Sequence, residues 1–388
     1  MKISFLILAF LIISIQSTCA QPIVSDQKTL FAAGENGYES YRIPALIKTK
    51  KGALLAFCEG RKEGKSDAGN IDILMKKSID EGKTWSEQTV IWDDADNTCG
   101  NPCPVLDEKT GEIFLLLTHN QGDVSEKDII TKKSESTRTV WVSKTSDEGM
   151  SWSKPVDITQ TTKKPEWGWY ATGPGNGIQI KYGAKKGRLV IPCDFSYDDP
   201  NGKVRNGPFE YGSHIIYSDD HGKKWQLGGT ITPKMNECQV VELADKKGKL
   251  LINMRSYFGH KVRANSISKD GGESWTAPED VADLTEPVCQ ASLFRYSWPQ
   301  SKKTKSIVLF LNPAHASKRQ NLTLRASYDE GKTWPISKSL FPGPSAYSSI
   351  ATLPNGNIIC LYEAGDDNPY EKIIFQTILP ETFLEVEK

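Results

Sequence analysis

Arg42, Arg61, Asp67, Glu237, Arg255, Arg319, Tyr347 and Glu363 offer guanidinium, carboxylate and phenol groups that could share one reaction. Guanidinium forks bind carboxylates bidentately and stay charged at every working pH. Carboxylates give and take protons, and a phenol beside a carboxylate can act as a nucleophile. Rival chemistries are poorly represented. The five histidines (His119, His214, His221, His260 and His315) are scattered, and HExxH and CxxC spacings are absent, so no metal or cofactor is expected. Beyond residue 20 the cysteines are Cys58, Cys99, Cys103, Cys193, Cys238, Cys289 and Cys360. An odd number cannot all pair, and apolar contexts such as LLAFCEG and NIICLYE read as buried thiols. Only Cys99 and Cys103 are close in sequence, and a bridge between them is optional.

These residues are spread over most of the chain, so repeated elements must bring them together. The pattern S/T-x-D-x-G-x-x-W occurs five times, at Ser78–Trp85, Thr145–Trp152, Ser218–Trp225, Ser268–Trp275 and Ser327–Trp334. Asp and Ser bond local backbone groups, Gly permits a positive φ, and Trp packs the hairpin, so each copy reads as a turn. Asp80, Asp147, Asp220, Asp270 and Asp329 are therefore structural in this reading. A second repeat, a glycine turn followed by an apolar strand, interleaves with the first: KKGALLAF, KTGEIFLLL, KKGRLVIP, KKGKLLIN and PNGNIICL. SKKTKSIVLFL, from Ser301, fills the gap between the fourth and fifth.

Helical periodicity is nearly absent. The fold class that follows is all-β: one domain built as a six-bladed β-propeller of four-stranded antiparallel blades. The sixth unit, ending in YEKIIFQTIL, lacks the tryptophan turn. In such a blade the start of strand one and the end of strand two share one end with the start of strand three. The Asp-bearing turns lie at the other end, so a site is expected on the opposite face near the axis. The polar residues named above fall at that site end.

The composition restricts function. The 388 residues carry 48 Lys+Arg and 48 Asp+Glu, so the formal charge is zero and a nucleic-acid binder relying on a basic field is not expected. Hydrophobic residues at 38% and charged residues at 25% fit a globular chain. Lys2 followed by an apolar Ser4–Ile15 and the small residues Thr18-Cys19-Ala20 reads as a signal peptide spanning 1–20, cut after Ala20. A secreted or periplasmic protein covering 21–388 is expected, with no membrane-embedded segment after the leader. A lipoprotein using Cys19 is the minor alternative, since Gln16-Ser17-Thr18 lacks the usual aliphatic residue.

YRIP, the five Asp boxes, the EGR…SD segment, NECQVVEL…NMR and AYSS…LYEAG together resemble the exo-α-sialidase (neuraminidase) family. The resemblance spans about Ser40 to Glu363. A lone Asp box says little, because boxes occur in unrelated propellers; the ordered set of arginines, tyrosine and glutamates is specific. Tyr41 stands where the FRIP-type motif has Phe, and the sixth unit has no box; neither departure touches a catalytic position.

The resemblance implies the roles. Arg42, Arg255 and Arg319 match the triad that binds the carboxylate of sialic acid, and Glu363 matches the acid orienting Arg42. Asp67 matches the acid/base, with Arg61 contacting substrate or holding the Asp67 loop. Tyr347 matches the nucleophile and Glu237 its base. Asp72 and Glu242 are the competing acids. Trp167 and Trp169 either cover the sugar's arms or pack the propeller. The Asn321 sequon, two residues from Arg319, is expected to stay unmodified. The implied protein is a monomeric, metal-free retaining hydrolase acting on sialylated glycans. A trans-sialidase or intramolecular trans-sialidase would use the same residues. A sialic-acid-binding propeller without turnover would be expected to lack Asp67, Glu237 or Tyr347.

Overall fold

The computed structural model describes residues 26–299 and 305–384. The expected signal peptide and residues 301–304 of the SKKTKSIVLFL turn lie outside them. The fold is all-β. Apolar, β-branched and aromatic runs such as Leu54–Arg61, Ile307–Pro313 and Ile358–Ala364 are buried along their whole length.

Strands pair antiparallel with their neighbours in sequence, as short turns dictate. Ser40–Lys48, Leu54–Arg61, Ile71–Ser78 and Thr89–Trp92 form the first set. Thr98–Leu106, Ile113–Asn120, Thr139–Thr145 and Val156–Asp157 form the second. A single parallel bridge, Ile71 to Thr98, joins these two sets. In the third, Tyr170–Thr172 and Ile178–Gln179 both pair with Leu189–Asp198, followed by Phe209–Ser218 and Gln226–Ile231. Met235–Glu242, Leu250–Ser256, Val262–Ser268 and Glu279–Thr285 make a separate four-stranded sheet.

Ser292–Ser297, Ile307–Pro313 and Gln320–Ser327 follow, and the 17-residue strand Ile336–Thr352 runs on from them. Its first part pairs with Gln320–Ser327 and its second with Ile358–Ala364, which pairs with Lys372–Ile378. The outermost partner of Lys372–Ile378 is Gln27–Ala32. The last unit therefore takes its outer strand from the beginning of the chain. Reading the sequence as consecutive units misses this, because strand pairing across the whole chain leaves no local signal.

The five Asp boxes are turns closed on themselves. In the first, Ser78 Oγ donates to Asp80 Oδ1 (2.8 Å) and accepts from the Gly82 N–H (2.9 Å). Asp80 Oδ1 accepts from the Thr84 N–H at 2.9 Å. Box tryptophans pack against neighbouring sets: Trp85 on Phe375, Trp152 on Phe57 and Trp225 on Phe114, at centroid separations of 5.1, 5.6 and 5.9 Å. Such pairs contribute roughly 0.5–1.5 kcal/mol each beyond area burial.

Leu54 pairs with Ser78 while Arg61 pairs with Ile71, so the boxes and the arginine end lie at opposite ends of the strands. At the arginine end the strands carry bulges: register shifts fall between Arg42 and Ala45, Gly100 and Cys103, Met235 and Cys238, and Ser345 and Ser348. A bulge re-aims the side chains beside it. Every described cysteine is buried and unpaired, Cys99 and Cys103 included. No described helix is long and apolar enough to cross a membrane.

Candidate active site

The bulged strand ends surround a cleft of about 610 Å³. Arg42, Arg61, Asp67, Glu237, Arg255, Arg319 and Tyr347 line it, and Glu363 lies fully buried behind it. All eight residues singled out in the sequence therefore converge.

Glu363 anchors the innermost wall. Its Oε1 accepts from Arg42 Nε (3.1 Å) and the Ile43 N–H (2.8 Å). Its Oε2 accepts from Arg42 Nη2 (3.3 Å) and the Tyr347 N–H (3.1 Å). Ile43 is held at φ 59°, which a β-branched residue resists, so the carboxylate offsets a backbone cost at the strand entry. Arg42 Nη1 is left facing the cleft, 3.6 Å from Asp67.

Tyr347 sits over this wall, with the Arg42 and Arg319 guanidinium carbons 4.9 and 5.4 Å from its ring centroid. Its hydroxyl donates to Glu237 Oε1. Arg255 Nη1 donates to Glu237 Oε2 (2.7 Å) and reaches the Tyr347 hydroxyl at 3.4 Å, while Nη2 donates to Tyr257 (2.7 Å). Burial and then Glu237 push the Tyr347 phenol well above its ordinary range, against Arg255, Arg319 and Arg42. It is a neutral phenol whose proton already points at a carboxylate. Arg319 Nη1 donates to Tyr370 at 2.9 Å, which fixes its fork beside the other two arginines.

Asp67 lies at the mouth, its side chain 54% exposed, in the loop after Leu54–Arg61. Arg61 holds that loop rather than facing the cleft freely: Nη1 donates to Lys65 O (2.7 Å) and Nη2 pairs with Asp67 Oδ1 (2.8 Å). Arg61 is fixed in turn by Glu59. Partial burial works to raise the Asp67 carboxyl, but Arg61 and then Arg42 outweigh it and hold the group down to about 2.

The competing residues go elsewhere. Asp72 accepts from Tyr38 (2.6 Å). Glu242 accepts from the Lys181 and Tyr182 N–H groups (2.6 and 2.9 Å) at the far end of its strand. The two tryptophans divide: Trp167 stacks on Phe195 at 3.7 Å in the core, whereas Trp169 lines the cleft over Arg138 at 4.1 Å. Asn321 takes φ 60° and accepts from Ser339 (2.9 Å).

The cleft also holds residues that the sequence reading passed over: Glu59, Asn101, Arg138, Asp194, Asn236 and Tyr257. Glu59 was findable, because it lies two positions from Arg61 on the same strand face, and Tyr257 follows Arg255 by two positions just past the end of its strand. Asn101 and Arg138 carry no such local mark. Among the described residues no group of three His, Cys, Asp or Glu side chains could hold a metal ion.

Residues 52–360 match the BNR repeat-like domain family. A sialidase of Micromonospora viridifaciens is 32% identical over 355 residues, covering 89% of this chain and 53% of that protein. The chain thus spans about half the length of that relative, and 61% of a Bacteroides fragilis sialidase that is 30% identical. Sialidase-2 of Mus musculus is 31% identical over 373 residues, covering 91% of this chain and 94% of its own. Among solved structures, the Hadza microbial sialidase Hz136 aligns with a TM-score of 0.79 at 28% identity, over 92% of this chain and 69% of that one. An intramolecular trans-sialidase from Ruminococcus gnavus shares the fold with a TM-score of 0.77 at 20% identity, over 93% and 99% of the two chains. The chain belongs to the sialidase family.

Proposed function

We propose that the protein is a secreted or periplasmic exo-α-sialidase that removes terminal sialic acid from glycans with retention of configuration. In this reading the antiparallel sets are six four-stranded blades of one propeller domain, the mature chain starts after Ala20, and the protein works as a monomer. The observation that carries the activity is the chain Tyr347–Glu237–Arg255 beside three converging arginines, with Asp67 at the mouth.

Arg42, Arg255 and Arg319 take the substrate carboxylate. That carboxylate draws on Arg42 and raises the Asp67 pKa, so Asp67 takes up a proton as substrate binds; Tyr347 Oη then attacks the anomeric carbon while Glu237 accepts the phenolic proton, and Asp67 gives its proton to the departing glycosidic oxygen. Asp67 then activates water, which displaces Tyr347, and Glu237 returns the proton. A phenol serves here because the substrate already carries a carboxylate on the reacting carbon, which would repel an anionic nucleophile. No metal or cofactor enters these steps.

Transfer to another sugar, or to the sugar's own hydroxyl, would use the same residues. The test is turnover of a fluorogenic sialoside with the product identified by mass. Free sialic acid supports hydrolysis. A product lighter by one water identifies the intramolecular transfer, and no release refutes the activity.

A further inference from the structure

Arg138 is buried to 2% exposure in the cleft wall and forms no ion pair with a described carboxylate. Arg42 and Arg61 each have two, and Arg255 has one. The acceptors of Arg138 are all neutral: Thr118 Oγ1 for Nε (3.0 Å), Asn120 Oδ1 for Nη1 (2.9 Å) and Asn101 Oδ1 for Nη2 (2.8 Å), with Asp67 O at 3.5 Å. Burial lowers its pKa, against the Glu59 and Asp67 charges, which work to raise it.

The surroundings are built around this group. A Cβ on Gly100 would lie 2.6 Å from Arg138 Nη2 and 2.8 Å from Glu59 Oε1, so a side chain there would have to displace both groups. The Trp169 indole covers the guanidinium on one side. Lys163 Nζ donates to the Arg138 carbonyl (2.6 Å) and to Thr137 Oγ1 (2.7 Å).

The beneficiary is Asn101. Its backbone sits at φ 52°, with its N–H on Glu59 (2.8 Å) and its carbonyl accepting from Thr172 Oγ1 (2.6 Å). Its side-chain Oδ1 accepts from both Thr118 Oγ1 (2.8 Å) and Arg138 Nη2. Flipping the amide would set its NH₂ against the Arg138 guanidinium, which can only donate; the Thr118 hydroxyl could rotate to accept, so Arg138 is the group that fixes the orientation. The Nδ2 group is thereby committed to the cleft, where it is accessible and bonds no described residue.

We propose that Arg138 is a positioning residue: by occupying Asn101 Oδ1 it turns the amide N–H toward the cleft, as donor to a hydroxyl or acyl-carbonyl oxygen of the sugar. This rests on the sialidase reading. The carboxylate and leaving oxygen are served by the triad and Asp67, so this donor reads the remaining substituents.

The test compares Arg138→Ala, Asn101→Ala and the double variant on a fluorogenic sialoside. Each single change should raise KM about tenfold with kcat little altered, the size of one lost hydrogen bond. The double variant should also lose about tenfold. Added guanidinium ion should restore KM in Arg138→Ala but not in the double variant. Arg138→Lys, a point charge without a planar fork, should not recover wild-type KM.

A hundredfold loss in the double variant, or equal guanidinium rescue in both backgrounds, overturns the proposal. Should Arg138→Ala not fold, Arg138→Lys takes its place. Its KM rise should vanish in the Asn101→Ala background, and additivity there overturns the proposal. Absence of wild-type turnover defeats the sialidase reading instead, so the two failures are distinct.

Discussion

Replacing Glu363 by glutamine should show that one carboxylate holds two parts of the site. Glu363 is fully buried and accepts four bonds, two from Arg42 and one each from the Ile43 and Tyr347 N–H groups. Glutamine keeps one oxygen and turns the other into a donor, which then faces either Arg42 Nη2 and the Tyr347 N–H or Arg42 Nε and the Ile43 N–H. It also strips Arg42 of its buried counter-charge. Removing one partner of a buried pair costs about 3–5 kcal/mol. Arg42 keeps Asp67 at 3.6 Å and faces the cleft, so the lower end applies, about 3 kcal/mol.

Urea unfolding followed by tryptophan fluorescence should report that loss as a lower midpoint at unchanged m-value. It should persist in high salt, because buried pairs are screened little. Turnover should fall by about a hundredfold or more, since a triad arginine and the nucleophile's backbone lose their common anchor. A loss below about 1 kcal/mol together with unchanged kcat/KM would refute the reasoning, because Arg42 and Tyr347 would then hold position without Glu363.

Tyr347→Phe should fold normally, bind a carboxylate inhibitor, and lose about a thousandfold or more in kcat. Glu237→Gln should match it, and the pair together should lose little more; additive losses would separate the two residues. Tyr362 is no substitute nucleophile, because it is buried with its hydroxyl on Gln376 (2.7 Å). Arg319→Lys should weaken a carboxylate inhibitor about tenfold, since lysine has no planar fork; unchanged affinity would place Arg319 outside the triad. Asp67 in the free cleft ionises near 2, so it is a carboxylate throughout the neutral and mildly acidic range. An inhibitor carboxylate drawing on Arg42 should raise that pKa and take up a proton on binding. Affinity should then fall as pH rises through the raised value, and titration calorimetry in buffers of different ionisation enthalpy measures the proton. No uptake in wild type, or equal uptake in Asp67→Asn, would defeat that coupling.

Much of the site was legible because the chemistry sits at repeated positions. Asp boxes mark the turn end of each unit, so Arg42, Glu237, Arg255, Tyr347 and Glu363 could be placed at the opposite end by counting along strands. The turns were readable for a local reason: Ser78, Asp80, Gly82 and Thr84 satisfy one another within a few residues. Hairpin pairing is equally local, so the order of strands adjacent in sequence followed from it, the outer strand of the last set excepted.

Long-range geometry was not readable. No pattern near Gln27 announces that this strand will pair with Lys372–Ile378, and none near Arg138 announces Asn101, 37 residues away. The bulge beside Arg42 is held by a bond from the Ile43 N–H to Glu363, made only when strands 320 residues apart meet. Protonation was decided at the same level. Asp67 reads as an ordinary loop aspartate until Arg61 and Arg42 surround it, and Tyr347 as an ordinary phenol until burial and Glu237 raise it. Sequence determined which groups are present and which end of each strand carries them, because turns and alternation are local. The tertiary structure decided their distances, orientations and charge states, because those depend on neighbours that are remote in the chain.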